Sequence, residues 1–517
     1  MTDQASKPFS PPAAREGLHR VIRILVYVFA FIQFSFITAD PDLWGHLRFG
    51  QDIWEQGQVQ ATDPFSYTAH GQPWINHEWL MEVSFYLIYK TLDSTGLLAF
   101  KALLGIFIIH LLSSIYFART GNTTVYLILF ALIIPVMAPG FMTRPHLATF
   151  LGLTLLVYIL HKFFDGNHPI IKWTPLLMLV WVNSHGGVVA GLSILGAVTG
   201  VEFIRCRKTG EAKGRLLLQY FLLSCLAVLI NPYGYKLWLF FIHSLGMPRS
   251  ISEWGPVGLF DLSHWQFKIL VLLFAGSFFL PDKKRGWEIL IILLAIIYGF
   301  LHQRHTVLTV ILLAPYLLFH YGRWLQWDFK SYYDRLSRHF HWAVQGVLVL
   351  FSALLFGWQM NQYAVDDFKI RVDPHVYPTY AAQFMEANGI VGNLVVPFDW
   401  GEYMIWKFPG SKVSIDGRFR TVYPEKIIEM NRAFAFGKPE GLALLRDFPT
   451  FGVLTKRYEA PHTFMETLPG WEKIYQDPIS KIFIPSREAA PDHPVWQRLQ
   501  EKGFIRLDTP PPWPFPG

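Results

Sequence analysis

IRILVYVFAFIQFSFITA, which runs from Ile22 to Ala39, is the stretch that decides the fold class of this chain. It carries one charge, at Arg23. As an α-helix it would be about 27 Å long, close to the ~30 Å hydrocarbon thickness of a bilayer. Similar apolar runs recur along the chain as far as Met360. A soluble core does not need so many such runs, so the sequence predicts a polytopic α-helical membrane protein.

The composition supports a membrane protein and argues against a nucleic-acid-binding protein. Of the 517 residues, 52% are hydrophobic and 16% are charged, against about 25% charged in an ordinary soluble domain. The net charge of +7 does not indicate nucleic-acid binding, because the lysines and arginines fall mainly in loops that the positive-inside rule expects in the cytoplasm. Cys206 and Cys225 lie at different expected depths, which argues against a disulfide between them.

The basic loops set the expected topology in a bacterial inner membrane. The densest basic stretches, residues 205–215 and 281–286, fall on one side when about eleven helices are threaded between the loops. Residues 1–20 then form a cytoplasmic N-terminal tail. Residues 21–360 form a transmembrane domain, with residues 40–96 as its first periplasmic loop. This topology also places the C-terminus in the periplasm.

Outside the spans, the sequence predicts an interfacial helix and a small soluble domain. EWLMEVSFYLIYK, residues 78–90, is short and ends in a lysine, which is typical of a helix lying in the membrane interface. Residues 361–505 alternate short apolar runs with helical patterns such as residues 423–434, which predicts a periplasmic α/β domain. Residues 506–517 are Pro-rich and are expected to be unstructured. The predicted strands are 394–398, 412–416, 451–455 and 481–485.

Polar residues that composition does not explain gather at the periplasmic ends of the predicted spans. Ionisable groups near membrane segments are costly, and they usually line cavities or pair with one another. Their convergence from separate segments is the strongest functional signal in the sequence. The candidates are Asp40, Asp42, His46, His77 and Glu78 in the first loop, and Arg144, His146, Asn183, His185, Glu253, His302, Arg304 and His305 at later span ends.

Most of these residues also have a purely structural interpretation. The aspartates of residues 40–42 flank a proline after a span, where either could cap the next helix. Residues 144–145, Arg-Pro, suit a loop anchor, and residues 183–187 suit a tight turn. Residues 416–418, Asp-Gly-Arg, suit a turn after a strand. The run HQRH, residues 302–305, is harder to explain in this way, because two histidines and an arginine share one turn.

Two longer stretches carry a resemblance to a known family. DPDLWGHLRFGQDIWEQG with DPFSYTAHGQPWINHEWL, within residues 40–80, is similar to the first loop of bacterial dolichyl-phosphate-mannose–protein-mannosyltransferase-like proteins. WGEYMIWKFPGSKVSIDGR, residues 400–418, is similar to the tail domain of bacterial members with unassigned substrates. The whole architecture resembles the GT-C superfamily of integral-membrane glycosyltransferases. The chain lacks the W-W-D signature of oligosaccharyltransferases and the H-P-P run common in mannosyltransferase-like members.

The resemblance implies transfer of a sugar from a polyprenyl-phosphate carrier to a protein, lipid or polysaccharide acceptor. A carboxylate can take the proton of an acceptor hydroxyl, so Asp42 is the expected general base, with Asp40 as its substitute. An arginine fork suits phosphate. No firm cofactor is expected, although a divalent metal ion at Asp40 or Asp42 with a histidine is compatible with the sequence. The residues expected at the donor phosphate are Arg304, Arg144, His302 and His305.

Two other classes of function stay open at this stage. A transporter or flippase of lipid-linked or polar solutes would place polar residues at mid-bilayer and often shows an internal repeat, and the sequence shows neither feature. A non-catalytic member of the same fold, acting as an assembly factor for envelope polysaccharide, would share the architecture. The sequence distinguishes it poorly from an active glycosyltransferase. Membrane lipid is an expected partner in every case.

Overall fold

The computed structural model describes residues 13–117, 121–245, 254–333, 338–364, 368–505 and 514–517 of the chain. Glu253, one of the candidates from the sequence, lies outside these residues. Within them, a mostly helical part is followed by a smaller part that contains a β-sheet.

The helical part follows the apolar runs of the sequence. Seven helices of the described segments are long and apolar enough to cross a membrane, and two shorter apolar helices accompany them. The chain is therefore a multi-pass membrane protein, while the number of about eleven spans stays a prediction. The helices are α1 (Ala13–Phe34), α2 (Leu43–Gln56), α3 (Trp79–Phe117), α4 (Thr123–Met137), α5 (Leu147–Phe164), α6 (Thr174–Val182), α7 (Val188–Thr209), α8 (Lys213–Ala227), α9 (Tyr235–Leu245), α10 (Trp265–Gly276), α11 (Gly286–Leu301), α12 (Thr306–Trp324), α13 (Lys330–Tyr333) and α14 (Arg338–Ala364).

Helix α3 joins the predicted interfacial helix to the second predicted span. It runs through both segments with one break at Asp93, whose φ of 57° and ψ of −164° are not helical. A positive φ is costly for a residue with a side chain, and here the Asp93 carboxylate pairs with Nζ of Lys369 at 2.8 Å. The two predicted helical segments are therefore both helical, and a kink rather than a loop separates them.

Close packing within the helical part positions the polar end that is described below. The indole ring of Trp181 lies against Gly152 of α5 and Gly191 of α7, where an added Cβ would come within 2.5 Å and 2.4 Å of ring atoms. Its Nε1 donates to Oγ1 of Thr149 at 3.1 Å. The two glycines thus let a large side chain bring α5, α6 and α7 together and fix Thr149.

The tail part holds a five-stranded sheet with the order β2-β1-β3-β5-β4. Strand β1 pairs in parallel with β2 and β3, and the remaining pairs are antiparallel. The strands are β1 (Asn393–Val395), β2 (Lys412–Val413), β3 (Gly452–Lys456), β4 (Trp471–Gln476) and β5 (Ser480–Pro485). Its helices are α15 (Thr379–Ala387), α16 (Gly401–Lys407), α17 (Glu425–Ala435), α18 (Ala443–Arg446), α19 (Pro461–Phe464) and α20 (Pro494–Lys502).

Four of these strands were expected from the sequence and β4 was not. The sequence WEKIYQ of β4 contains charged residues, and the strand lies at the edge of the sheet with much of its surface exposed. An edge strand packed on one side needs few apolar residues, so it carries a weak apolar signal.

The final residues correct one expectation. Residues 514–517 are not an unstructured end, because Phe515 is 2% exposed and its ring stacks on Trp44 with centroids 5.1 Å apart. The carbonyl of Pro516 accepts a hydrogen bond of 2.9 Å from Nε1 of Trp44. These residues fasten the tail to α2 of the first loop. Residues 506–513 lie outside the described part of the chain.

Candidate functional site

Several helix ends meet at one end of the helical part, and each brings a polar side chain. α5 begins after His146, α11 ends before His302, and α12 begins after His305. The ring centroids of His146 and His185 are 6.4 Å apart. Because a helix rises about 1.5 Å per residue, the far ends of these helices lie roughly 25 Å away. The candidates from the sequence are therefore gathered at one end of the helices.

Buried ionisable groups also lie at the far end, which the sequence argument did not anticipate. Nδ1 of His161, in the last turn of α5, is 3.7 Å from Oε1 of Glu288, in the first turn of α11. Nδ1 of His320 is 3.8 Å from Oδ2 of Asp282. These pairs lie beside the basic loop of residues 281–286. They join helix ends to that loop, a structural role that requires no ligand.

Arg144 joins the two aspartates that open the first loop. Its Nε donates to Oδ1 of Asp40 at 2.6 Å, and its Nη1 lies 3.0 Å from Oδ2 of Asp42. Asp42 precedes α2 but makes no side-chain capping hydrogen bond. The carboxylate of Asp42 therefore serves the ion pair rather than the helix, and Arg144 anchors both acids.

The two aspartates differ in their access to solvent. The side chain of Asp40 is 5% exposed and that of Asp42 is 25% exposed. Burial raises the pKa of Asp40, whereas the charge of Arg144 acts in the opposite direction. Oδ1 of Asp40 also accepts a 3.0 Å hydrogen bond from the backbone N–H of Asp42. Asp40 is thus an inner anchor, and Asp42 is the carboxylate that an incoming molecule can reach.

His46, Glu78 and Glu82 form a second cluster beside the first. One nitrogen or oxygen atom of each residue lies within 4.8 Å of the others. Nδ1 of His46 is 3.2 Å from Oε1 of Glu82, and Nδ2 of Asn76 donates to Oε2 of Glu82 at 2.6 Å. The backbone N–H of Glu82 donates to the carbonyl of Glu78, so the two glutamates lie one helical turn apart at the start of α3. Burial lowers the pKa of His46, but the hydrogen bond that its Nδ1 donates to Glu82 and the surrounding carboxylates raise it overall.

The hydrogen bonds of His185 define its protonation state. The backbone N–H of Gly187 donates to its Nδ1 at 3.0 Å, and Oγ1 of Thr149 lies 2.7 Å from the same atom. Nδ1 therefore carries a lone pair, and the proton of the neutral ring is on Nε2. Nε2 faces Oε1 of Glu78 at 3.4 Å. Burial, together with the nearby His146, His77 and Arg304, lowers the pKa of His185 well below its usual value, so the ring stays neutral.

His146 is also a neutral histidine. Its Nε2 donates to the carbonyl of Gly140 at 2.6 Å, which leaves the lone pair on Nδ1. Burial is the main reason that its pKa falls to about 3, and the charges of Arg304 and Arg144 add to the effect. Both arginines thus lie within electrostatic range of one histidine. Arg304 and the Arg144–aspartate cluster consequently belong to the same polar region.

The HQRH turn packs on the segment that begins at Trp254. The guanidinium carbon of Arg304 lies 4.7 Å from the centroid of the Trp254 ring, which is a cation–π distance. Nδ1 of His302 donates to the carbonyl of Trp254 at 2.8 Å. The rings of His302 and His305 have centroids 5.5 Å apart. Aromatic packing thus holds Arg304 at the polar end of α12.

Asn183 is used structurally. Its Oδ1 accepts from Nε1 of Trp79 at 3.0 Å, and its Nδ2 donates to the carbonyls of Leu179 and Ile230, each at 2.9 Å. These bonds occupy the amide and attach the beginning of α3 to α6, as the tight-turn interpretation expects. His77 lies against the ring of Phe241, with centroids 5.7 Å apart, and sits at the border of the Glu78 cluster.

Glu402 of the tail enters the same region, although it was not among the candidates from the sequence. An added Cβ on Gly45 would lie 2.0 Å from Oε2 of Glu402. An added Cβ on Gly417 would lie 2.6 Å from both Oε1 of Glu402 and Oδ1 of Asp42. Two glycines thus make room for two neighbouring carboxyl groups. Burial raises the pKa of Glu402 well above its ordinary value, and Asp42 and Asp416 add to the rise. Its buried Oε2 has no hydrogen-bond partner among the residues that the structure describes.

Asp416 and Arg418 of the tail form more than a turn. Arg418 makes paired hydrogen bonds to Asp416, and its Nη1 lies 2.7 Å from Oδ1 of Asp63 in the first loop. Its guanidinium carbon is 4.8 Å from the centroid of Trp74. The hydroxyl of Tyr423 donates to Asp416 at 2.6 Å. This buried clamp holds the tail against the first loop, and so holds Glu402 next to Asp42.

An apolar cavity lies beside the polar end, as a shallow depression that is largely open to the surroundings. Its volume is about 430 Å³. It borders Asn183 and Trp79, and so lies next to Glu78 at the start of α3. The cavity is lined by Trp79, Leu80, Leu179, Val180, Asn183, Ile230, Asn231 and Pro232.

No protein-family model and no curated protein matches this sequence. Two solved structures share its fold, both of the oligosaccharyltransferase of Archaeoglobus fulgidus. The apo form has a TM-score of 0.53 at 10% identity, over 84% of this chain and 69% of that one. AglB in complex with an inhibitory peptide and a dolichol-phosphate has a TM-score of 0.56 at 10% identity, over 86% and 70%. At such low identity the likeness establishes the fold alone. The chain has a GT-C-like fold, while the mannosyltransferase-like subgroup expected from the first loop stays a prediction.

Proposed function

We propose that this protein transfers a sugar from a polyprenyl-phosphate-linked donor to an acceptor at the periplasmic face of a bacterial inner membrane. The observation that carries the proposal is the 3.0 Å ion pair of Asp42 with Arg144, with Arg304 held by Trp254 where α12 begins. It combines an accessible carboxylate with fixed positive charge. Transfer from a phosphate-linked sugar needs both a base and a group that stabilises the departing phosphate.

Asp42 acts as the general base in this proposal. Its carboxylate takes the proton of the acceptor hydroxyl as the acceptor oxygen bonds to the anomeric carbon of the sugar. The bond from that carbon to the phosphate oxygen breaks, and polyprenyl phosphate leaves with the electron pair. Arg144 orients Asp42 through the 3.0 Å ion pair. Asp40, which is less exposed, holds the other side of the same arginine.

Arg304 receives the donor phosphate, with Arg144, His302 and His305 assisting. A guanidinium matches phosphate through two parallel N–H groups. Trp254 holds Arg304 from one side, which reduces the conformational freedom that the side chain would lose on binding. His146 and His185 are kept neutral mainly by burial, and the charge of Arg304 adds to the fall of both pKa values.

The apolar cavity at Trp79 and Ile230 gives the lipid chain of the donor a place beside the polar end. A polyprenyl phosphate joins an apolar lipid chain to a charged group. In this protein the apolar cavity likewise lies next to charged side chains. The fold is also that of AglB, whose structure contains a dolichol-phosphate. The acceptor stays open between protein, lipid and polysaccharide.

Lipids that co-purify with the protein test the donor. We expect mass spectrometry to detect a polyprenyl phosphate or its sugar-linked form with the wild type. Arg304→Glu should lose it, because the charge at the phosphate is reversed. Arg323→Glu is the matched control at the opposite end of α12, where Arg323 is well exposed, and should retain the lipid. Absence of polyprenyl lipid from the wild type and from Arg323→Glu, or equal retention in all three proteins, would overturn the donor assignment.

Cysteine labelling tests the face of the membrane. Phe436 is exposed in the tail, and Arg207 is exposed near the end of α7. In a chain in which Cys206 and Cys225 are replaced by alanine, we expect Phe436→Cys to react with an impermeant maleimide in intact cells. Arg207→Cys should react only after lysis. The reverse pattern would overturn the periplasmic assignment.

A further inference from the structure

We propose that His46, Glu78 and Glu82 bind one divalent transition-metal cation. The expectation from the sequence was a cation at Asp40 or Asp42, but both of those carboxylates are ion-paired with Arg144. The three residues proposed here lie on α2 and at the start of α3. The inference stands independently of glycosyl transfer, since it concerns binding alone.

The three ligands already have nearly the required geometry. Their candidate ligand atoms lie within 4.8 Å of one another, and Nδ1 of His46 is 3.2 Å from Oε1 of Glu82. A cation bonded at about 2.0–2.2 Å to imidazole nitrogen and carboxylate oxygen places those atoms roughly 3–4.4 Å apart. Small side-chain movements would therefore close the site.

A second layer of hydrogen bonds orients both glutamates. Nδ2 of Asn76 donates to Oε2 of Glu82 at 2.6 Å, which directs Oε1 toward His46. The protonated Nε2 of His185 faces Oε1 of Glu78 at 3.4 Å. His185 is not itself a ligand, because its lone pair on Nδ1 is turned toward Gly187 and Thr149. Outer partners that fix carboxylates and imidazoles in this way are typical of metal sites.

The charges of the cluster also favour a cation. Among the described residues, neither Glu78 nor Glu82 has a lysine or arginine as an ion-pair partner. Their contacts are histidines and an asparagine, and Glu82 is 2% exposed. Two carboxylates that share one histidine, His46, need a further positive partner once they are removed from water. A cation at this position supplies it, and a mixed nitrogen and oxygen ligand set favours Mn²⁺, Fe²⁺ or Zn²⁺ over Ca²⁺.

Three protein ligands leave open coordination positions. A structural metal site usually fills all its positions from the protein, whereas a site that handles a ligand keeps at least one for water or substrate. Asp42 contributes to the electrostatic field at His46, so this cluster lies near the Asp42–Arg144 pair. A phosphate or sugar oxygen could take an open position there.

Mn²⁺ titration of the purified, chelator-treated protein tests the proposal. We expect electron paramagnetic resonance to show one bound Mn²⁺ per chain in the wild type, and metal addition to raise its thermal unfolding temperature. Glu78→Gln and Glu82→Gln should both abolish this binding. Asn76→Ala should weaken it about 10- to 100-fold, as expected for an outer partner.

The control is Asp52→Asn, which also lies on α2 but pairs with Arg48 at 3.1 Å. It should bind Mn²⁺ as the wild type does. Glu78→Gln is the variant least expected to misfold, because the Glu78 side chain is partly exposed. Loss of binding in this variant therefore reports on the ligand itself. Failure of the wild type to bind Mn²⁺ or Zn²⁺, or equal affinity in the wild type and Glu78→Gln, would overturn the proposal. The titration contains no sugar donor, so its outcome does not depend on whether the protein catalyses sugar transfer.

Discussion

Nη1 of Arg418 lies 2.7 Å from Oδ1 of Asp63, although the two residues are 355 positions apart in the chain. Both side chains are buried. Asp63 also accepts hydrogen bonds from the backbone of Phe65 and Ser66. The pair therefore ties the tail to a rigid turn of the first loop. Glu402, carried by the same tail, is held at Asp42 as a result.

Removal of one partner should show how much the Asp63–Arg418 clamp contributes to the free energy of unfolding. Asp63→Ala leaves a buried arginine with Asp416 as its remaining carboxylate. We expect a loss of about 3–5 kcal/mol in the free energy of unfolding, since Nη1 of Arg418 and the backbone N–H groups of Phe65 and Ser66 lose their buried acceptor. Chemical denaturation of the detergent-solubilised protein measures it.

A surface pair supplies the control for the clamp. Nζ of Lys473 lies 2.7 Å from Oε1 of Glu466, and both side chains are more than a third exposed. Lys473→Ala should cost less than about 1 kcal/mol. Equal effects of Asp63→Ala and Lys473→Ala would mean that the clamp does not hold the tail.

Glu402 leaves no room for a side chain at Gly45, so we expect substitution of this glycine to destabilise the protein. In Gly45→Ala the new methyl carbon would lie 2.0 Å from Oε2 of Glu402, and overpacking of this kind costs about 1–3 kcal/mol. In the double variant with Glu402→Ala, the clash is gone, so the combined loss should be smaller than the sum of the single losses. Gly200→Ala is the control and should cost no stability, because no atom of the described part of the chain lies within 4 Å of the added Cβ. Additive losses would contradict the contact.

The stability of the protein should depend on pH through Glu402. Burial raises the pKa of this carboxyl above its ordinary value of 4.5. The folded chain therefore keeps a proton that the unfolded chain has lost. Stability should fall as pH rises from the ordinary pKa toward the raised one, by up to about 1.4 kcal/mol per pH unit.

Glu402→Gln isolates this effect, because an amide does not titrate. Its thermal unfolding temperature, compared with that of the wild type, should rise progressively above pH 4.5. Below that pH the two proteins should differ little in slope. Parallel pH dependence of the two proteins over the whole range would show that Glu402 ionises without cost, and that it is not buried beside Asp42.

The sequence predicts what depends on local pattern. Apolar runs such as Ile22 to Ala39 locate the helices but not their ends, since the helix found there is Ala13–Phe34. The same apolar runs place His146 and His302 near the ends of spans. Their partners were not predicted, because no periodicity relates Asp63 to Arg418 or Asp42 to Glu402. Contacts between distant segments depend on tertiary packing.

Glu82 was missed although the sequence held a signal for it. It follows Glu78 by four residues, so in a helix both carboxylates share one face. The apolar residues of the surrounding stretch indicate an interfacial helix, and this pattern gives no separate role to the acid within it. The residues 416–418 were interpreted as a turn. The turn exists, but burial of Asp416 and Arg418 gives it a second role.

The role of Asp42 as the general base of a sugar transfer can be measured from the rate of transfer itself. Purified protein in liposomes is supplied with labelled lipid-linked sugar from its own host membranes, and transfer of label to membrane acceptors is followed. Asp42→Asn should reduce the rate by about 10²- to 10⁴-fold, whereas Asp52→Asn, which lies outside the Arg144 cluster, should leave it unchanged. Full transfer by both Asp42→Asn and Asp40→Asn would contradict the account.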